Sequence, residues 1–342
     1  MYPTVCTLMG LWNFVRSKGV THRDETSAVT ALLAQPRDEL VELLRTKDGW
    51  KDLASLVRVK PKTDLFPIRA RHPGNDTLNI GLNYLGADEP QWFTLADVLA
   101  SKILTGRTPE VIKAFRFRPK AKQKGLKSVD IAGQTISPAT DDFYRRLIIH
   151  RNAIKAKRDA AENEDDKRAF ETDEQAIKIL ANATSYGTFV ELNVGDYVKM
   201  ERMVGYGGRP RPSGFKSQTS ERPGAYFHPL VATLIIGAAR LILALAEQQV
   251  IEQDLDWVFC DTDSRAIGNT RDLPRDEFVN KALRIREWFK ELNPCGEDNS
   301  ILQIEKVNFP PGKRGDLQAL DPPFCDPAWK IDPLSRGIGV QN

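Results

Sequence analysis

The chain has 342 residues, 41% hydrophobic and 8% aromatic, which is enough apolar material for a packed core and excludes disorder as its main state. Its 49 Lys and Arg against 46 Asp and Glu leave a formal net charge of +3, so a nucleic-acid partner has to be argued from local clustering. Cys6, Cys260, Cys295 and Cys325 share no Cys-x-x-Cys spacing and His22, His72, His150 and His228 are scattered, a pattern without a zinc-type cluster that fits a reducing, cytoplasmic compartment.

The opening MYPTVCTLMG lacks a basic region followed by an apolar one, so no secretory leader is expected. Residues 2–15 read as a strand end passing through Tyr2-Pro3 into a short helix, with Leu8, Leu11, Trp12 and Val15 at helical spacing. Residues 27–44 read as two helices divided by Pro36. Residues 65–70 and 78–85 resemble paired strands joined by the turn-rich His72-Pro73-Gly74-Asn75-Asp76, and helical pattern returns at 95–104.

Between Lys113 and Lys127 there are seven basic residues and no acidic one. This run reads either as a solvated loop or as a contact to a phosphate backbone, with Phe115 and Phe117 serving either purpose and Lys120, Lys122 and Lys124 as candidate DNA contacts. Residues 141–186 carry the clearest helical hairpin signal: Asp141 and Asp142 at a helix start, an acidic turn at 162–166, and a second helix to about Ser185. Each arm is roughly 30 Å long at about 1.5 Å per residue. The Gly- and Pro-rich stretch 205–224 reads as a flexible connection. Residues 229–246 are apolar enough to suggest a membrane span, but Arg240 in their middle would cost roughly 2.5–3.5 kcal/mol in hydrocarbon. A buried core helix is therefore expected, with no membrane partner, followed by an apolar strand at 255–260.

That strand ends in Asp261-Thr262-Asp263-Ser264. In extended backbone, positions i and i+2 share a face, and two carboxylates about 4 Å apart repel by about 4 kcal/mol at an effective dielectric near 20. A hard divalent cation would relieve that repulsion; the same tetrapeptide is also ordinary turn chemistry. On the hairpin, Arg151 and Lys155 are four apart on the first arm and Lys178, Asn182 and Tyr186 four apart on the second. Each set shares a helical face, either solvated or able to neutralise a triphosphate.

In their order along the chain, Tyr2-Pro3-Thr4, Lys178 to Gly187 and Asp261 to Ser264 resemble the three motifs of the palm and fingers of family B DNA polymerases, and the similarity runs from residue 1 to about 309. Phe227-His228-Pro229 and the following helix also resemble the palm helix of that family. The resemblance implies an α+β fold, with an antiparallel palm sheet backed by helices and a two-helix fingers hairpin. It implies a first part of the palm at 1–139, fingers at 140–190, a second part of the palm at 191–325 and an unassigned tail at 326–342. It further implies nucleotidyl transfer from a dNTP to the 3′-hydroxyl of primer-template DNA, assisted by two Mg2+ ions. Asp263 would hold the metal with Asp261 beside it, and Arg151, Lys155, Lys178 and Asn182 would bind the dNTP. Tyr2 would lie under its sugar, and Tyr186 with Gly187 would meet the nascent base pair.

The chain departs from that pattern in four places. The family's first motif carries a metal-binding Asp five residues before the Tyr, upstream of Met1 here. The polypeptide is therefore expected to be inactive alone, either a fragment or completed by a separate upstream chain supplying that Asp. Tyr186 stands one residue further from Asn182 than is usual, which turns it by about 100° around the helix. Phe259-Cys260 replaces the usual Tyr-Gly, and Lys313-Arg314-Gly315 is a poor substitute for the family's primer-binding Lys-x-Arg-Tyr. Neither a thumb nor a proofreading exonuclease domain is expected. Two other readings stay open: a non-catalytic nucleic-acid-binding remnant, and a metal-dependent nucleotide-sugar glycosyltransferase using the same Asp-x-Asp.

Overall fold

The computed structural model describes residues 1–71, 78–205, 213–261, 264–296, 299–307 and 338–341. Helix α1 (Tyr2–Leu8), with Pro3 in its first turn, and the short α2 (Trp12–Val15) open the chain. Strand β1 (Ser17–Asp24) leads to α3 (Thr26–Ala34) and α4 (Arg37–Arg45), which are separated at Pro36 because its ring cannot continue α3. Then come β2 (Ser55–Lys60), the pair β3 (Lys62–Arg71) and β4 (Leu78–Gly86), β5 (Gln91–Thr94) and α5 (Leu95–Thr105). Strands β3 and β4 are antiparallel as their pattern suggests; the turn between them lies outside the described residues.

The basic run is a correction. It belongs to β6 (Glu110–Lys122), a strand of 13 residues that pairs antiparallel with both β1 and β2. Phe115 and Phe117 alternate with Arg116, Arg118, Lys120 and Lys122, a period of two that the density of charge obscures. Alternation therefore sends Lys120 and Lys122 to the face opposite the two Phe rings, while Lys124 lies beyond the strand. Pro119 falls where β6 has run past the end of β2 and keeps β1 alone as neighbour, a position a sheet tolerates. The first sheet has the order β1-β6-β2-β5.

A small hairpin of β7 (Val129–Ile131) and β8 (Gln134–Ile136) precedes the helical arms α6 (Phe143–Ala160) and α7 (Glu164–Ser185). Next, β9 (Leu192–Gly205) and β10 (Ser213–Pro223) form an antiparallel ribbon where a flexible connection is expected. Backbone pairing across the ribbon overrides the Gly and Pro content, which is densest at 205–212, between the two strands.

Helix α8 (Pro229–Glu252) is long and apolar enough to cross a membrane, yet two-thirds of its most apolar window is buried in the fold. Arg240 is neutralised there. Its Nε and Nη2 donate to Asp97 Oδ1 and Oδ2 at 2.6 and 3.0 Å, and Asp97 is 3% exposed. Asp97 also closes a capping box with Thr94 at the start of α5. At Gly237 of α8 an added Cβ would lie 2.1 Å from Thr94 Oγ1, so the absence of a side chain sets how closely α8 meets that turn.

After α8 come β11 (Asp256–Asp261), β12 (Ser264–Gly268), α9 (Arg275–Trp288), β13 (Gln303–Val307) and β14 (Ile338–Gln341). The strands form an antiparallel sheet of order β11-β12-β14-β13. The architecture is thus mixed α+β with several small antiparallel sheets. One large core joins α1, α5, α8 and α9 to β2, and a separate cluster of Ile136, Leu147, Ile154, Ile177 and Ala181 holds the two arms together.

Candidate functional site

Local chemistry fixes the arms. Asp142 caps α6 by accepting from the Arg145 N–H at 2.9 Å, and Asn163 caps α7 by accepting from the Asp166 N–H at 2.7 Å. Glu164, Asp165 and Asp166 fill the first turn of α7 and complement its dipole, so the acidic segment is partly helix rather than all turn. Tyr144 Oη donates to the Thr184 carbonyl at 2.9 Å and ties the arms together at their base. Trp12 Nε1 donates to the Pro138 carbonyl at 3.0 Å, anchoring α2 to the segment before α6.

A cleft of about 900 Å³ opens between the start of α1, the two arms and the segment leading into β13. Arg151 and Lys155 of α6 and Lys178 and Asn182 of α7 all line it, facing Met1, Pro3 and Thr4 of the N-terminal turn. Helical spacing on each arm puts these groups on one face, and the packing of Leu147 and Ile154 against Ile177 and Ala181 turns both faces to the same side.

Arg151 is not a free cation. Its Nη2 donates to Glu174 Oε1 at 3.1 Å, and Arg158 Nη1 bonds the other oxygen of the same carboxylate. Glu174 is 8% exposed and so spans the arms as a buried bridge. Lys155 is half-buried and Lys178 exposed, and no carboxylate among the described residues pairs with either. Sequence reasoning passed over Glu174, although it stands four residues before Lys178 and on the same helical face.

Tyr2 and Tyr186 lie outside the cleft lining but stack on each other, with ring centroids 5.1 Å apart and planes at 27°. Gly187 begins a short 3-10 turn immediately after. Burial pushes up the pKa values of the Cys6 thiol and the Tyr144 phenol, so both stay protonated at neutral pH and serve as packing groups. Burial also raises the pKa of the capping Asp142.

The third wall of the cleft comes from Asn293, Asn299, Ser300 and Gln303, which carry no local sequence signal. Gln303 relates the cleft to the acidic strand end. Asp261 pairs in register with Ser264, Ser264 with Gln341, and Gln341 with Gln303, a single row across four strands. Three inter-strand spacings place the Asp261 backbone roughly 14 Å from that of Gln303. Asp263 and Thr262 lie outside the described residues. Among the described residues no cluster of three His, Cys, Asp or Glu side chains is placed to hold a metal ion.

The arrangement offers concentrated positive charge and neutral amide donors around an open cavity, chemistry suited to a polyanion. Comparison of the chain with protein-family models, with curated proteins and with solved structures finds no match.

Proposed function

We propose that the cleft binds the triphosphate of a deoxynucleoside triphosphate, as part of a template-directed nucleotidyl transferase resembling family B DNA polymerases. The observation that carries the proposal is the meeting of Arg151, Lys155, Lys178 and Asn182 in one cavity. Two lysines with no carboxylate partner among the described residues suit a ligand that supplies the negative charge itself. Magnesium would be held by Asp261 and Asp263 together with phosphate oxygens, the usual mixed coordination of this ion. The register row from Asp261 to Gln303 supports this reading, because it sets the strand end about one nucleotide's length from the cleft. The stacked Tyr2 and Tyr186 stand beside the cleft, where a sugar or base would extend from the phosphates.

Titration with a fluorescent mant-dATP in the presence of magnesium tests the proposal. Lys178→Ala is expected to weaken binding about tenfold, the effect of losing one charge-assisted hydrogen bond. A sugar nucleotide such as UDP-glucose is expected to compete poorly. Equal mant-dATP affinity in wild type and the Lys178 variant, or tighter binding of the sugar nucleotide, refutes this assignment.

A further inference from the structure

The sheet β1-β6-β2-β5 has one face in the core and one in solvent. Val57, Val59 and Ala114 are fully buried on the inner face. Register turns a different set outward: Arg58 stands opposite Lys113 on β6 and Trp92 on β5, while Phe117, opposite His22 on β1, packs against the core.

These outward residues form one aromatic cluster. Trp92 is 46% exposed and lies nearly parallel to Phe115, with ring centroids 5.7 Å apart and planes at 15°. His22 meets Phe115 edge-on at 5.1 Å, and Lys113 Nζ sits 5.0 Å from the Phe115 centroid. Cross-strand stacking accounts for the rings but not for the cations beside them. Two cations directly opposite each other weaken a strand pair, and Arg58 Nε is buried with no acceptor among the described residues. An exposed tryptophan on an open sheet invites association unless it has a use.

Charge beside the rings indicates the partner. Lys113 and Arg58 stand on the same face as Phe115 and Trp92, whereas Arg118, Lys120 and Lys122 alternate to the other face of β6. Asp24 approaches Lys113 only at 3.8 Å, and Glu110 is held by Lys62 at 2.7 Å. Ring faces beside cations are what an unpaired nucleic-acid strand requires, since its bases stack and its phosphates need counter-charge. A duplex covers its base faces and offers this surface phosphates only.

We propose that this sheet face binds single-stranded nucleic acid, with bases stacked on the Trp92, Phe115 and His22 cluster and phosphates met by Lys113 and Arg58. The inference rests on the nucleic-acid part of the proposed function and not on the triphosphate cleft, which lies among other elements.

Fluorescence anisotropy with a labelled oligothymidine, and with a duplex of equal length, tests it on the full chain. Trp92→Leu is expected to weaken oligothymidine binding about tenfold, in the range for one base-stacking contact, and to leave duplex binding and mant-dATP binding unchanged. Lys113→Gln is expected to lower the salt dependence of oligothymidine binding by about one unit of slope. Circular dichroism melting of both variants separates loss of contact from loss of fold, and Lys113→Gln serves if Trp92→Leu is unstable. Oligothymidine affinity equal in wild type and a folded Trp92→Leu, an unchanged salt slope in Lys113→Gln, or duplex bound as tightly as single strand overturns the proposal. Loss of mant-dATP binding with intact strand binding refutes the cleft assignment alone.

Discussion

Asp97 holds the junction of α5 and α8, and its removal is the most severe single change the fold identifies. Its carboxylate accepts from Arg240 Nε and Nη2 at 2.6 and 3.0 Å and from the Thr94 hydroxyl at 2.7 Å. Asp97→Ala leaves the Arg240 guanidinium, whose side chain is 23% exposed, without a counter-charge in the middle of the core helix. Removing one partner of a buried ion pair costs about 3–5 kcal/mol, and losing one half of a helix cap about 1 kcal/mol more. Partial access of water to Arg240 places the sum near the lower end, about 4 kcal/mol, a large share of the roughly 5–15 kcal/mol that stabilises a domain. Urea unfolding followed by tryptophan fluorescence and by far-UV circular dichroism measures the loss, and coincidence of the two curves checks that one transition is being read. Adding Arg240→Leu to Asp97→Ala removes the stranded charge and is expected to recover about 2 kcal/mol. A double variant as unstable as the sum of the two single variants would refute the ion pair as the source of the effect.

Two further outcomes follow from particular contacts. Burial lowers the pKa of His228, whose Nδ1 accepts from the Val231 N–H to cap α8. Near neutral pH the side chain is neutral in both states; below about pH 6.5 the unfolded chain takes up the proton first, so stability falls as pH drops toward the depressed folded value. His228→Asn keeps a capping oxygen and is expected to flatten that fall, read as the difference in urea midpoint between about pH 7.5 and about pH 5.5. Gly237→Ala gains about 1 kcal/mol of helix propensity but drives a Cβ to within 2.1 Å of Thr94 Oγ1, which the capping box holds in place. Overpacking of about 1–3 kcal/mol outweighs the gain, so the melting temperature is expected to fall, and a rise contradicts the close approach.

What could be read from the sequence follows the range of the interactions concerned. The hairpin was legible because its determinants are local: capping residues Asp142 and Asn163, and charges recurring every four residues on each arm. The role of Arg240 was legible only in part. Its apolar surroundings indicated a core helix, but the carboxylate that neutralises it lies 143 positions away. Strand β6 was hidden because its alternation is carried by cations and aromatics, and because its partners β1 and β2 are distant in the chain. The ribbon of β9 and β10 was hidden by composition, since Gly and Pro crowd the stretch between two otherwise regular strands. The third wall of the cleft, from Asn293 to Gln303, had no periodicity to report it.

The charge balance of the cleft carries the proposed function one step further. Arg151, Lys155 and Lys178 line it, and Asp159, the carboxylate in its lining, is occupied by Arg158 at 2.7 Å. Arg151 and Arg158 are balanced by Glu174 and Asp159, so the net positive charge of the cleft comes from Lys155 and Lys178. Under the proposed function the two lysines would not fully neutralise a triphosphate, and the remaining compensation would come from a cation travelling with the phosphates. Such an ion needs oxygen ligands on the side of the cleft away from the arms. The backbone row from Gln303 to Asp261 joins the cleft wall to the acidic strand end, so under the proposed function the strand end and the cationic hairpin would serve as two halves of one site.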